Sequence, residues 1–319
     1  MNVNVLFAIL AATTFTLVPL NDLGPAPYLY GYFGGLYEDG SNIIPADHLA
    51  AGLSRAAMIT PRDGKIVFLS VGFGETERIS NAFAEMARND PRVDRDVVFI
   101  NGAREGYDSA FWIPPQSDAN LNRIRDTLLK PAGVTEKQVQ VAWVQLVTNS
   151  PLRALPPQDG DAYRLKGAIA AALRALKSRY PNLQIAYLSS RVYGGYATTA
   201  WNPEPFAYES ALSVRWVILG QLTLMRTGFL WDSRIGPVNY EKGDVPWLAW
   251  GPYFWANGTM PRSDGQTWQI DDFESDGEHL SAKGARKGAL QLMDFLLNEQ
   301  TASWFRAAGI PMRLRPARH

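Results

Sequence analysis

The sequence predicts one α/β domain on a five-stranded parallel sheet with helices on both faces, a three-layer α/β/α sandwich. Two observations carry that reading. Beyond residue 60, short and nearly continuous apolar runs alternate with stretches of helical periodicity, and no repeat or low-complexity linker divides the chain. Strands buried on both faces read as unbroken apolar runs, and crossover helices bury them that way. At 319 residues and 46% hydrophobic, the chain is long enough to bury a large core.

The elements follow in order. Residues 66–71 are a first strand. Residues 76–89 place Ile79, Ala82, Phe83, Met86 and Ala87 on one helix face. Residues 97–100 are a second strand, followed by a looser region that includes 121–129. Residues 139–147 are a third strand, and 161–180 a helix with Leu165, Ile169, Ala172, Leu173 and Leu176 on one side. Residues 184–189 are a fourth strand, 208–226 a long helix and 245–250 a fifth strand. Residues 281–298 close the series as a helix with Ala285, Ala289, Leu292, Met293 and Leu296 facing inward. The domain then spans 65–319.

Residues 21–64, rich in Gly, Pro and Tyr, read as an irregular extension. Residues 5–20 form an apolar run of signal-peptide length, too short for a comfortable membrane span. No Lys or Arg precedes the run and no A-x-A site follows it, so 1–20 is either a signal peptide or an arm packed on the body. The first reading implies a secreted or periplasmic protein with no stable membrane anchor after processing, the second a cytoplasmic one.

Composition narrows the chemistry. Lys plus Arg number 31 and Asp plus Glu number 31, so the net charge is zero and nothing favours a nucleic-acid partner. His48, His279 and His319 are too few and too scattered for a histidine-rich metal site. The absence of cysteine excludes disulfides, thiolate zinc sites and cysteine nucleophiles.

Ligands of parallel α/β sheets bind beyond the carboxyl ends of the strands, so the segments there matter most. The first strand ends V-F-L-S-V-G-F-G-E-T. A dinucleotide fingerprint needs a third glycine where Glu77 stands, and no G-K-[ST] follows for a phosphate loop. A plain glycine-rich turn remains open for this segment. The second strand runs into I-N-G-A-R-E-G-Y-D, where Gly102 and Gly106 lack a Cβ and leave the main chain open to close approach. The third ends W-V-Q-L-V-T-N-S-P, with Gln145 and Asn149 near its end, the latter open to reading as a turn asparagine before Pro151.

Before the last helix comes D-G-E-H-L-S-A-K-G, where Asp276 stands three residues ahead of His279. Asp271, Asp272, Asp276 and Glu278 together read as a solvated acidic loop. Trp247, Trp250, Tyr253, Phe254, Trp255 and Trp268 crowd the approach to it, either to stack on sugar or aryl rings or to pack the loop. Arg191, after the fourth strand, is either an anion-binding group or the ion-pair partner of Glu209, the latter preferred.

These segments resemble, in order, the blocks of the SGNH (GDSL-type) hydrolases over about residues 66–298. The last block is the most specific match. The resemblance implies a flavodoxin-like fold, ester hydrolysis without metal or organic cofactor, and a small-molecule ester or carbohydrate ligand. It implies that His279 is the general base steered by Asp276, with Gly106 (or next Gly102) and Asn149 (or alternatively Gln145) as oxyanion donors and Trp250, Trp255 and Arg191 in substrate binding. The family's first block reads G-x-S, and here Gly74 stands in the serine's place. The G-x-N-D block also lacks its glycine and aspartate. Three readings follow: an inactive form of a serine enzyme, water activated by His279 with help from Glu75 or Thr76, or a ligand-binding protein that keeps the cleft. A flavodoxin-like binding module outside the family is a fourth.

Overall fold

The computed structural model describes residues 16–28 and 31–312. Its centre is a parallel sheet of β1 (Ile66–Gly72), β2 (Val97–Asn101), β3 (Val139–Gln145), β4 (Ile185–Leu188) and β5 (Trp247–Trp250). The spatial order is β2-β1-β3-β4-β5, with every neighbouring pair parallel. That is the flavodoxin-like order, whose switch point lies between β1 and β3.

Strand pleating sorts the core into two layers. Val67, Leu69, Val71, Ala142, Val144, Ala186 and Leu188 face the side covered by α3 (Gln116–Ile124), α4 (Asp161–Arg179) and α5 (Phe206–Thr227). Phe68, Val141, Trp143, Ile185, Tyr187 and Trp247 face the side covered by α1 (Ala46–Ala56), α2 (Gly74–Asn89) and α6 (Ala282–Asn298). Because residues alternate between faces and both faces are covered, every residue of β1, β3, β4 and β5 is buried.

Three expectations are corrected. The segment 21–64 is not wholly irregular, since α1 lies within it and packs beside β5. Its buried face is His48, Gly52 and Ala56, a stripe at four-residue spacing that surrounding Gly and Pro obscure. The looser region at 121–129 is helical: α3 runs into a π-helical turn, Arg125–Leu129. The first-block helix opens at Gly74 rather than residue 76, with Glu75 and Glu77 in its first turn, where acidic groups suit the helix dipole.

Residues 1–15 and His319 lie outside the described residues. Residues 17–20 are tied to the body: Leu20 is fully buried with its N–H on the Tyr253 hydroxyl at 3.0 Å, and the Val18 carbonyl accepts from Tyr208 at 2.8 Å. Among the described residues no helix is long and apolar enough to cross a membrane.

Candidate active site

The loops after β1, β2, β3 and β4, with the long segment after β5, enclose a cavity at the switch point. Its walls include Phe73, Glu105, Gly106, Asn149, Trp201 and His279. The space within it open to water is about 40 Å³, room for water beside His279 and Glu105.

Asp276 and His279 meet as their spacing implies. Nδ1 of His279 bonds to Oδ2 of Asp276 in a very short contact, and Oδ1 of Asp276 accepts the backbone N–H of Glu278 and His279 at 2.9 Å each. A tight turn makes this geometry: Gly277 has φ +68 and Phe273 bridges to Leu280. The Ser281 hydroxyl then caps α6 by accepting from the Gly284 N–H at 3.3 Å. Burial works against the charge on Asp276, but the His279 hydrogen bond and the two N–H donors hold its pKa below the ordinary value.

The other ring nitrogen of His279 faces a second carboxylate. Nε2 lies 3.2 Å from Oε1 of Glu105, which also accepts the Gly106 N–H at 3.3 Å. Burial opposes the charge on His279, but the Asp276 hydrogen bond, then the charges of Glu105 and Asp276, raise its pKa above the ordinary histidine value. With a carboxylate on each nitrogen, the favoured ring is an imidazolium that donates both ways.

Glu105 also accounts for Gly74. A Cβ on Gly74 would stand 2.1 Å from Oε2 of Glu105 and 2.5 Å from its Cδ. The carboxylate of the β2 loop therefore fills the volume that a nucleophilic side chain at 74 would need. The loop reaches it because Gly106, at φ +77, turns the chain directly afterwards, and because the Glu105 N–H is held by Glu77 Oε2 at 2.6 Å.

Below the cavity lies a buried charged cluster. Arg191 donates from Nε to Glu75 Oε2 at 3.1 Å and from Nη1 to Glu278 Oε1 at 2.9 Å and to the Asn202 carbonyl at 3.1 Å. Burial pushes the Glu75 pKa up against the pull of Arg191, the Val192 N–H and the Gln145 amide. Thr199 donates a very short hydrogen bond to the other Glu278 oxygen.

The sequence-derived site residues separate accordingly. Asp276, His279, Gly74, Gly106 and Asn149 come together, with Gly106, Asn149 and His279 on the cavity wall. Between the alternatives, the Gly102 N–H is used by Ser70 O at 2.9 Å, and the Gln145 amide is buried against Glu75 and Ser190. Arg191 is not an open anion site and does not pair with Glu209; it is 1% exposed and saturated by Glu75 and Glu278. Glu209 instead accepts from the Leu155 N–H and the Tyr28 hydroxyl.

Trp250 and Trp255 are interior, their indole N–H groups used by Leu36 O and Glu204 Oε1. The aromatics that line the cavity are Phe73, Tyr107 and Trp201; Trp201 is the exposed one, at 47%, with its ring 6.4 Å from that of His279. Nor is the acidic loop all solvated: Asp272 is fully buried on Lys287, and Glu278 is buried on Arg191. Glu75 and Thr76 are both buried and bonded, so neither is free to assist water. Sequence reasoning missed Glu105 and Trp201. Glu105 sits directly before Gly106, and a charged residue beside a proposed oxyanion donor was the available signal.

Fold and site together define a flavodoxin-like α/β sandwich with a carboxylate–histidine–carboxylate array at its switch point. No family model and no curated protein matches the chain. Among solved structures, protein YxiM of Bacillus subtilis is similar with a TM-score of 0.37 at 12% identity, over 73% of this chain and 56% of that one. The chain thus spans little more than half the length of that structure. Among the described residues no three His, Asp or Glu side chains are grouped as metal ligands.

Proposed function

We propose that this chain is an SGNH-type ester hydrolase that works without a serine, with His279, steered by Asp276, as its proton-transfer residue. One observation carries the reading. The Asp276–His279 pair turns Nε2 into a cavity beyond the carboxyl ends of β1 and β3, lined also by Asn149 and by Gly106, whose N–H rests on Glu105 Oε1 until that side chain moves. A carbonyl there would meet a proton-transfer group on one side and hydrogen-bond donors for its developing oxyanion on the other. The acetylated-carbohydrate reading loses the support of Trp250 and Trp255, and only Trp201 offers an exposed ring; small esters are the better-supported class.

The test is acetate release from an alkyl ester such as glyceryl triacetate by the natural chain, by Asp276→Asn and by His279→Ala. The expectation is loss of about 10²–10⁴-fold in either variant. Turnover that survives both would show that the pair takes no part. A second reading, ligand binding without turnover, is favoured by the Glu105 side chain closing on Nε2. It expects no hydrolysis in any variant and a ligand affinity that His279→Ala leaves intact.

A further inference from the structure

Glu105 stands on Gly74 where the family's nucleophile would be, and its two oxygens differ. Oε1 is shared by Nε2 of His279 and the Gly106 N–H, whereas Oε2, among the described residues, has no hydrogen-bond partner and lies over Gly74. The carboxyl is half-exposed at the end of a flexible side chain, beside a cavity with room for water. A carboxylate with one free oxygen beside space for water is a general base in position.

We propose that Glu105 is the general base that activates water in this site and that His279 is the general acid, the reverse of the histidine's role in a serine hydrolase. The inference rests on the ester-hydrolase reading and deepens it. As the ester enters, Glu105 turns outward from Gly74 and keeps water on Oε2. Oε2 takes a proton from the water as the water oxygen bonds to the acyl carbon, and the carbonyl electron pair moves onto oxygen beside the Gly106 N–H and Asn149. The pair then re-forms the carbonyl, the acyl–oxygen bond breaks, and the departing alcohol oxygen takes the proton from Nε2 of His279. Glu105 now holds one proton and His279 lacks one. Glu105 then swings back to its resting place, its carboxyl rotates to present the protonated oxygen to Nε2, and return of that proton across the contact that is 3.2 Å at rest restores the starting charges, so ester plus water has become acid plus alcohol.

The charged surroundings support this assignment. His279 is faced by Asp276 from its own turn and by Glu105 from the β2 loop, with Asp108, Glu75 and Glu278 the other carboxylates in the cavity wall and Arg191 its other cation. Arg191 is already neutralised by Glu75 and Glu278, so the carboxylates around the ring favour its protonated form. An imidazolium cannot take a proton from water. It can give one to an alkoxide.

The experiment compares kcat/KM for glyceryl triacetate and p-nitrophenyl acetate in the natural chain, Glu105→Gln and His279→Gln, across pH. A p-nitrophenolate leaves without an acid, whereas an alkoxide does not. Glu105→Gln is expected to lower both substrates by about 10²–10⁴-fold, and His279→Gln to lower the alkyl ester far more than the aryl ester. In the natural chain kcat/KM for the alkyl ester should fall as pH rises through the histidine's pKa. Unchanged or faster turnover in Glu105→Gln would overturn the proposal and make Glu105 a plug. A limb that rises there, with equal losses on both esters in His279→Gln, would also overturn it and return the base role to His279, leaving the ester-hydrolase reading intact. No hydrolysis of either ester by the natural chain would overturn both.

Discussion

Arg191 is bonded to Glu75 and Glu278 at once, and through it the first turn of α2 is fastened to the turn that carries His279. All three side chains are buried, so the arrangement depends on the Arg191 charge bridging two carboxyl groups in a region of low dielectric. Buried ion pairs add little net stability compared with an apolar core, but removing one partner leaves charge stranded.

Arg191→Met is therefore expected to destabilise the chain by about 3–5 kcal/mol. Glu278→Gln, which keeps a hydrogen-bond acceptor beside Arg191, should cost less. Urea unfolding followed by tryptophan fluorescence measures both. Equal and small losses would mean that Arg191 does not anchor the loop.

Gly74→Ser should succeed only as far as Glu105 gives way. The clash at 2.1 Å is with the end of a flexible, half-exposed side chain, so the single variant should fold. Gly74→Ser combined with Glu105→Ala should hydrolyse p-nitrophenyl acetate faster than Gly74→Ser alone and be labelled by phenylmethylsulfonyl fluoride, read by intact mass. In that double variant His279 has no Glu105 on Nε2 and acts as base for a serine, so its pH limb should rise where that of the natural chain falls.

The Asp276–His279 pair should make stability depend on pH in two directions. His279 has a raised folded-state pKa, so its contribution is full below the unfolded histidine value and is lost as pH rises through the folded one. Asp276 has a lowered one, so its contribution is present above the unfolded aspartate value and lost as pH falls through the folded one. The Tm difference between the natural chain and His279→Gln should be largest between those limits and shrink on both sides. A difference that does not vary with pH would mean that the ring's charge is not stabilised by folding.

Glu209 offers an independent pH test away from the site. Burial pushes its pKa up to about 7, against the Leu155 N–H and the Tyr28 hydroxyl. Its folded value exceeds the unfolded one, so its contribution is full below the unfolded glutamate value and is lost as pH rises towards about 7. Glu209→Gln keeps an acceptor for Leu155 and carries no charge, so its stability should change less than that of the natural chain between pH 5 and about 8. Denaturation midpoints across that range would show it, and parallel curves would count against a raised Glu209.

Much of the architecture was legible because burial writes itself into the chain as periodicity. The runs at 66–71 and 139–147 read as buried strands, which the structure places at Ile66–Gly72 and Val139–Gln145, and the stripe from Ile79 to Ala87 read as one helix face. Asp276 and His279 were legible for a different reason: their contact is made within four residues by a turn whose glycine is in the sequence. The α1 helix was hidden by its flanking Gly and Pro. Trp250 and Trp255 were misplaced because an aromatic-rich loop looks the same whether its rings line a cleft or fill the space beneath it.

The sequence by itself determined the strand–helix alternation, the Asp276–His279 pair and the glycine at position 74, since each is a matter of local pattern or residue identity. Only the tertiary structure decided that Glu105 stands over Gly74, that Arg191 is closed by Glu75 and Glu278, and that Trp201 is the aromatic beside His279. Those relations join residues some 30 to 120 positions apart, brought together because parallel strands deliver their following loops to one edge of the sheet. No periodicity encodes such contacts; they exist only once the sheet has formed.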